Sequence, residues 1–187
     1  GLTQQVQTEN SFIARELNGI PLLVQRMDGE LRAFRNACAH RGMPIQVSSS
    51  GNRKLVCPYH AWAYSAEGIL RGIPNEKIYG ICKDAQKKIS LIKYPLRVVG
   101  NFIFVNFDSN PMPIEEQFSE DLLALLSGVS PFFSSDVSYT TFSGNYNWKL
   151  NFENILDWNH AAFVHRETLA PLLAIERDGN FSAAPPV

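Results

Sequence analysis

Cysteine is scarce in this chain, three residues in 187, and two of the three stand in metal-ligand spacing, so no disulfide framework is available. A long apolar run is also missing: no stretch of about 18 apolar residues could span a bilayer. The opening residues do not read as a basic-then-apolar leader. Neither sign of charge dominates, with 17 Lys and Arg against 18 Asp and Glu, and the basic residues are scattered rather than clustered. That excludes a nucleic-acid-binding surface and favours a small-molecule or protein partner. Together these absences predict a soluble, cytoplasmic protein in a reducing compartment. Histidine is scarce too, and all four histidines fall into two ligand patterns, which leaves none for structural roles.

What the chain does have is 45% hydrophobic residues, enough for a globular core at a length that suits one domain, or one plus part of another. Between Ser11 and Asn36, short β-rich runs (Ile20 to Gln25, Leu31 to Phe34) flank Asp28-Gly29, a hairpin turn. Lys54-Leu55-Val56 reads as a strand leading to Cys57. Ala61 to Tyr64 and Gly68 to Leu70 read as a second hairpin, and Ile92 to Val99 with Phe102 to Phe107 as two more strands joined at Gly100-Asn101. Turn chemistry from Asp108 to Pro113 precedes an amphipathic helix over Ile114 to Leu126. A Ser, Pro and Gly segment then leads to a strand-like stretch, Val137 to Tyr146. This gives boundaries of 1–108 for a small β domain, 109–136 for a connecting helix and linker, and 137–187 for the start of another domain. The Gly1-Leu2 start and the Ala183 to Val187 tail lead us to expect a piece of a longer protein.

The first ligand pattern is Cys38-Ala39-His40-Arg41-Gly42 with Cys57-Pro58-Tyr59-His60-Ala61-Trp62. Two thiolates and two imidazoles could hold zinc or a two-iron cluster, and the unequal spacing of the two pairs disfavours a zinc ribbon. The second pattern is Asp157-x-x-His160-x-x-x-x-His165, the imidazole and carboxylate set that non-haem iron requires. Asn147 to His160 reads as one helix capped by Asn145 or Asn147, which puts Asp157 and His160 on one face. His160 and His165 would sit about 140° apart on a regular helix. A π-bulge or a helix end between Ala161 and Val164 is therefore expected if both bind one ion. Cys82 has no partner and reads as a buried structural residue. Trp148, Phe152, Ile155, Trp158 and Phe163, at helical spacing, read as core.

The two patterns, in this order, resemble the N-terminal half of the α subunits of Rieske non-haem iron, aromatic-ring-hydroxylating oxygenases, over about Ser11 to Thr168. The resemblance implies an α+β chain: a mainly antiparallel β Rieske domain, then a partial α+β catalytic domain. It implies a [2Fe-2S] cluster held by Cys38 and Cys57 on one iron and His40 and His60 on the other. His160 and His165 would ligate a mononuclear Fe(II) whose third ligand, a carboxylate, lies outside this chain, although Glu167 or Asp178 could substitute in principle. Asp157 would be no ligand; it would bridge His160 and His60 of an adjacent subunit, and Asn154 would lie close to the iron. Implied partners are a ferredoxin or reductase, O2 and a small organic substrate, in a complete protein that is a homotrimer active in aromatic hydrocarbon catabolism. Missing cysteines at the disulfide positions of respiratory Rieske proteins place the chain in the oxygenase branch. Ala61 replaces a common glycine, which is tolerated if the backbone there is ordinary. The competing reading is a Rieske ferredoxin-like carrier whose second motif is vestigial, and a weaker one is a structural or regulatory iron-sulfur protein.

Overall fold

The computed structural model describes residues 1–138, 140, 144–157 and 159–169. Gly1–Ser138 forms one compact unit and Tyr139–Val187 a second.

Three strands, β1 (Ser11–Leu17), β2 (Ile20–Met27) and β3 (Glu30–Arg35), form an antiparallel meander at the centre of the first unit. Its two turns, Asn18-Gly19 and Asp28-Gly29, have positive φ at both residues, the geometry that matches the twist of the flanking strands. β4 (Ser50–Asn52) pairs with β1. A small hairpin, β5 (Ala63–Tyr64) with β6 (Leu70–Gly72), is followed by two one-turn helices, α1 (Glu76–Tyr79) and α2 (Lys83–Gln86). β7 (Lys93–Tyr94) then closes the five-stranded order β4-β1-β2-β3-β7, and β8 (Leu96–Val99) with β9 (Phe102–Val105) makes a third antiparallel pair.

Side chains alternate across a strand, so this sheet buries two different faces. Leu23 and Phe34, directly paired, pack with Cys38, Cys57, Trp62 and Tyr64. Val24 and Ala33, the adjacent pair, pack on the other side with Ile13, Leu22, Tyr94 and Ile103. Gly68 turns the β5–β6 hairpin at φ +79°, and a Cβ there would lie 2.8 Å from the Phe34 ring. The turn residue thus sets how closely the hairpin closes over the sheet.

Several elements differ from the expectation. Lys54 to Val56 is no strand; β4 lies just before it, and Val56 makes only an isolated bridge to Ala63. The run from Ile92 is cut at Pro95, which has no N–H for a ladder. The helix expected over Ile114 to Leu126 is two: α3 (Ile114–Gln117) stops at extended Phe118, and Ser119 then caps α4 (Glu120–Val129) by accepting from Leu122 N–H at 3.3 Å. Cys82, expected to be buried, is exposed just before α2, while its neighbour Ile81 is the residue that packs against the core.

Ala61 also departs from the expectation, because its φ is +55°. The Cys57 carbonyl accepts from Ala61 N–H at 3.0 Å and Cys57 N–H donates to the Trp62 carbonyl at 2.9 Å, and closing this tight loop puts the residue between them in the left-handed region. A Cβ in that region costs about 1 kcal/mol or more. Ala61→Gly is therefore expected to raise stability by about 1 kcal/mol, reduced by glycine's freer unfolded state. Thermal melting checks it; an unchanged or lower midpoint speaks against strain at Ala61.

In the second unit, α5 (Lys149–Leu156) and α6 (Asn159–Val164) replace the single expected helix. The chain leaves helical geometry at Asp157 (φ −83°, ψ 88°). The N-cap position is Trp148, not Asn145 or Asn147, and Asn147, one residue earlier, accepts from Lys149 N–H at 3.1 Å through its side-chain oxygen. The stretch Val137 to Tyr146 lies partly outside the described residues, and none of its described residues is in a strand. Trp148, Phe152, Ile155 and Phe163, expected in a core, are each at least 60% exposed, and Trp158 lies outside the described residues.

Candidate metal centre

Two loops build the first site. In one, Cys38 N–H donates to the Met43 carbonyl and Gly42 N–H to the Cys38 carbonyl, both at 2.8 Å. The other is the Cys57 to Trp62 loop. Both cysteines are buried, and their thiols lie within interaction range of each other. The His40 and His60 rings have centres 4.8 Å apart at 64°. With a metal–nitrogen bond of about 2 Å, each ring centre would stand about 3 Å from an ion, so both imidazoles reach a single one. His40 stacks on Trp62 at 4.6 Å, and Tyr79 of α1 meets the His40 ring edge-on at 5.4 Å. The four residues singled out in the sequence therefore stand as two pairs, thiol with thiol and imidazole with imidazole, and among the described residues no three such donors are placed to hold one ion.

The charges explain what such a pocket needs. Burial pushes the Cys38 thiol up; hydrogen bonds from Tyr64 and a backbone amide pull it partly back, and Cys57 pushes the same way as burial. Two neighbouring buried thiols become thiolates only beside a cation. Burial, then the Arg41 guanidinium and His60, hold His40 below the usual histidine range, which favours the neutral imidazole that can ligate. His60 Nδ1 is buried with no hydrogen-bond partner, a nitrogen that a metal would satisfy. Two inward thiols, a neutral imidazole and an orphaned ring nitrogen fit a [2Fe-2S] cluster with mixed cysteine and histidine ligation.

The sequence reading missed Tyr64. Its hydroxyl accepts from Ala39 N–H at 3.1 Å and lies 3.0 Å from Cys38 Sγ, within reach to donate to that sulfur once it is a ligating thiolate. Burial and Cys38 push the phenol up, which keeps it protonated as a donor. A hydrogen bond to a ligating sulfur stabilises the reduced, more negative centre. Tyr64→Phe is expected to lower the cluster potential by tens of millivolts, the scale of a hydrogen bond worth about 1 kcal/mol. Redox titration checks this, and an unchanged potential removes Tyr64 from any tuning role.

The second pattern forms a partial site. α6 ends at Val164, and the His165 amide still donates to the Ala161 carbonyl at 3.2 Å. Of the two alternatives expected between Ala161 and Val164 the structure shows the helix end, at Val164, and it adds a second break at Asp157. The His160 and His165 rings stand 5.4 Å apart at 69°, within reach of one ion. His160 Nδ1 is buried without a hydrogen bond, and Asp157 Oδ2 lies 3.7 Å from it, in ion-pair range but too far for a hydrogen bond. A carboxylate facing one ring nitrogen leaves the other for a metal, the arrangement ligating histidines use. The residues present fit part of an iron site. Asn154 lies exposed on α5, Glu167 is exposed, and Asp178 lies outside the described residues.

Comparison with known proteins defines the class. Residues 1–94 match the Rieske [2Fe-2S] domain, and the chain belongs to that family. Its relatives are oxygenase subunits. It is 33% identical over 179 residues to the glycine betaine monooxygenase oxygenase subunit of Pseudomonas aeruginosa, covering 92% of this chain and 40% of that protein. It is 33% identical over 171 residues to the anthranilate 1,2-dioxygenase large subunit of Acinetobacter baylyi, covering 86% and 36%. Among solved structures, a quaternary ammonium Rieske monooxygenase superposes with a TM-score of 0.72 at 27% identity, covering 90% of this chain and 46% of that one. The chain therefore spans about 40% of the length of the curated relatives it matches.

Proposed function

We propose that this chain is the electron-receiving, N-terminal part of the oxygenase component of a Rieske non-haem iron oxygenase. The two facing pairs, Cys38 with Cys57 and His40 with His60, together with the buried and unpartnered His60 Nδ1, carry the reading. Residues 1–108 are assigned to the cluster domain, 109–136 to the connecting helix and linker, and 137–187 to the start of the catalytic domain. A bound cluster supplies one-electron transfer, with electrons from a ferredoxin or reductase.

His160 and His165 are assigned as two ligands of a mononuclear Fe(II), with the third, a carboxylate, supplied by the rest of the oxygenase subunit. Asp157 is assigned a positioning role, holding His160 of its own chain and His60 of a neighbouring chain in a homotrimer, with Asn154 close to the iron. The exposed apolar side chains of α5 and α6 support a larger catalytic domain, since contiguous apolar surface of this kind marks an interface. O2 and a small organic substrate complete the reaction. The relatives named above act on glycine betaine and anthranilate, so the substrate class extends beyond aromatic hydrocarbons. Among the described residues no helix is long and apolar enough to cross a membrane, and we place the protein in the cytoplasm.

Metal analysis separates the oxygenase from a ferredoxin-like carrier. The complete subunit is expected to hold about three irons per chain with two labile sulfides, and the 187-residue chain about two. Two irons in the complete subunit would favour the carrier, and zinc with no sulfide would remove the proposal.

A further inference from the structure

Two cysteines lie in the site and the third is exposed, so no disulfide joins the two ligand loops. Arg53 joins them instead. Its Nη1 donates to the Ile45 carbonyl at 3.0 Å and to Gln46 Oε1 at 3.4 Å, and its Nη2 donates to the Val56 carbonyl. Ile45 and Gln46 close the first ligand loop: both their amides donate to Asn36 Oδ1 at 3.0 Å, and Asn36 Nδ2 donates to the Gln46 carbonyl at 2.8 Å. Val56 immediately precedes Cys57. One guanidinium therefore touches the base of the Cys38–His40 loop and the base of the Cys57–His60 loop.

The arginine is itself held in place. Its own carbonyl accepts from Gln25 Nε2 at 2.6 Å and from Gln46 Nε2 at 3.0 Å. Both glutamines are buried, at 0% and 2% exposure, on the face of the sheet that carries the cysteines. Buried amides of this kind persist where they are hydrogen-bonded, and here their partners fix a single backbone position.

We propose that Arg53 is a positioning residue for the cluster site, its guanidinium fork setting the separation of the two ligand loops by hydrogen bonds. This rests on the reading of Cys38, His40, Cys57 and His60 as one site. A centre with ligands from two loops needs both held at a fixed separation, and the backbone hydrogen bonds of Cys38 and Cys57 each close within their own loop. Across the loops, besides the His40–Trp62 stack and the Tyr64 contacts at Cys38 and Ala39, Arg53 adds hydrogen bonds at their bases. Lysine would not replace the arginine. Two carbonyls on different loops require a planar fork with several donors, whereas an ammonium on a flexible stem satisfies one acceptor geometry at a time.

The test compares the iron-loaded chain with Arg53→Met and Arg53→Lys. Cluster loss to an excess of EDTA is followed by visible absorption, and hydrogen exchange by mass spectrometry on peptides from both loops and from β1–β3. Arg53→Met is expected to lose its cluster about tenfold or more faster, the usual scale for a group that orients metal ligands. Exchange should rise in both loops together while β1–β3 stays unchanged, with Arg53→Lys in between. Loss at the wild-type rate, a rise in one loop only, or a uniform rise across residues 1–138 would overturn the proposal. If the wild-type chain takes up no iron, the proposed function fails. Exchange in the metal-free wild-type and variant chains then decides the role of Arg53 by the same loop criterion.

Discussion

Cys57→Ala is expected to yield a colourless chain whose iron content falls from about two per chain to below about one-tenth of that. Cys57 is 3% exposed and shares a core cluster with Cys38, Trp62 and Tyr64, so the deletion strikes a buried ligand that no neighbour can replace. The third cysteine, Cys82, is exposed in a different segment. Removing one thiolate leaves three ligands where four are needed, with His40 held toward its neutral form and one thiol that burial pushes up. Because metal binding in a small domain is also folding free energy, the variant should melt well below the wild type. Cys82→Ala is the control and should keep all its iron. Iron and sulfide assays with the visible spectrum check the pair. Full iron in Cys57→Ala, or loss in Cys82→Ala, would mean the ligand set is wrong.

The second large effect belongs to Asp157. In the complete oxygenase, Asp157→Asn should leave both metal contents unchanged while electron transfer from cluster to catalytic iron slows about 10- to 100-fold, the range seen when a group that orients metal ligands is changed. A carboxylate can accept hydrogen bonds from two imidazoles at once, whereas the asparagine amide offers one acceptor oxygen and one donor group that repels a ring N–H. The side chain already faces His160 Nδ1 at 3.7 Å, and Asp157 is the C-cap of α5, its N–H donating to the Glu153 carbonyl at 2.9 Å where the backbone leaves helical geometry. Single-turnover oxidation of the reduced cluster, followed by stopped flow beside metal analysis, is the measurement. Unchanged coupled turnover would leave Asp157 an ordinary surface carboxylate.

The candidate ligand pairs and the strand meander were visible in the sequence because each depends on local signals. Asp28-Gly29 between alternating apolar runs gave the hairpin, and Cys38, His40, Cys57 and His60 gave a complete donor set. What escaped depends on contacts between distant residues. Tyr64 matters only because its hydroxyl reaches Cys38 and Ala39, more than 20 positions away, and nothing in its local pattern marks it. Arg53 is one of 17 basic residues until the fold puts its fork between two loops. The continuous helices expected over Ile114 to Leu126 and Asn147 to His160 followed the apolar period correctly, but that period does not register a break at Phe118 or Asp157. No local signal marks the left-handed angle of Ala61, which is imposed by the loop around it, so the condition that its backbone be ordinary is not satisfied.

The most direct test of the whole account is low-temperature electron paramagnetic resonance of the dithionite-reduced 187-residue chain, with nitrogen couplings resolved by double resonance. The reduced chain is expected to show a spin-one-half iron-sulfur signal carrying strong couplings to two histidine nitrogens, with His40→Ala and His60→Ala each losing the signal or one coupling. A signal without nitrogen coupling, or a chain that binds zinc and shows none, would contradict it.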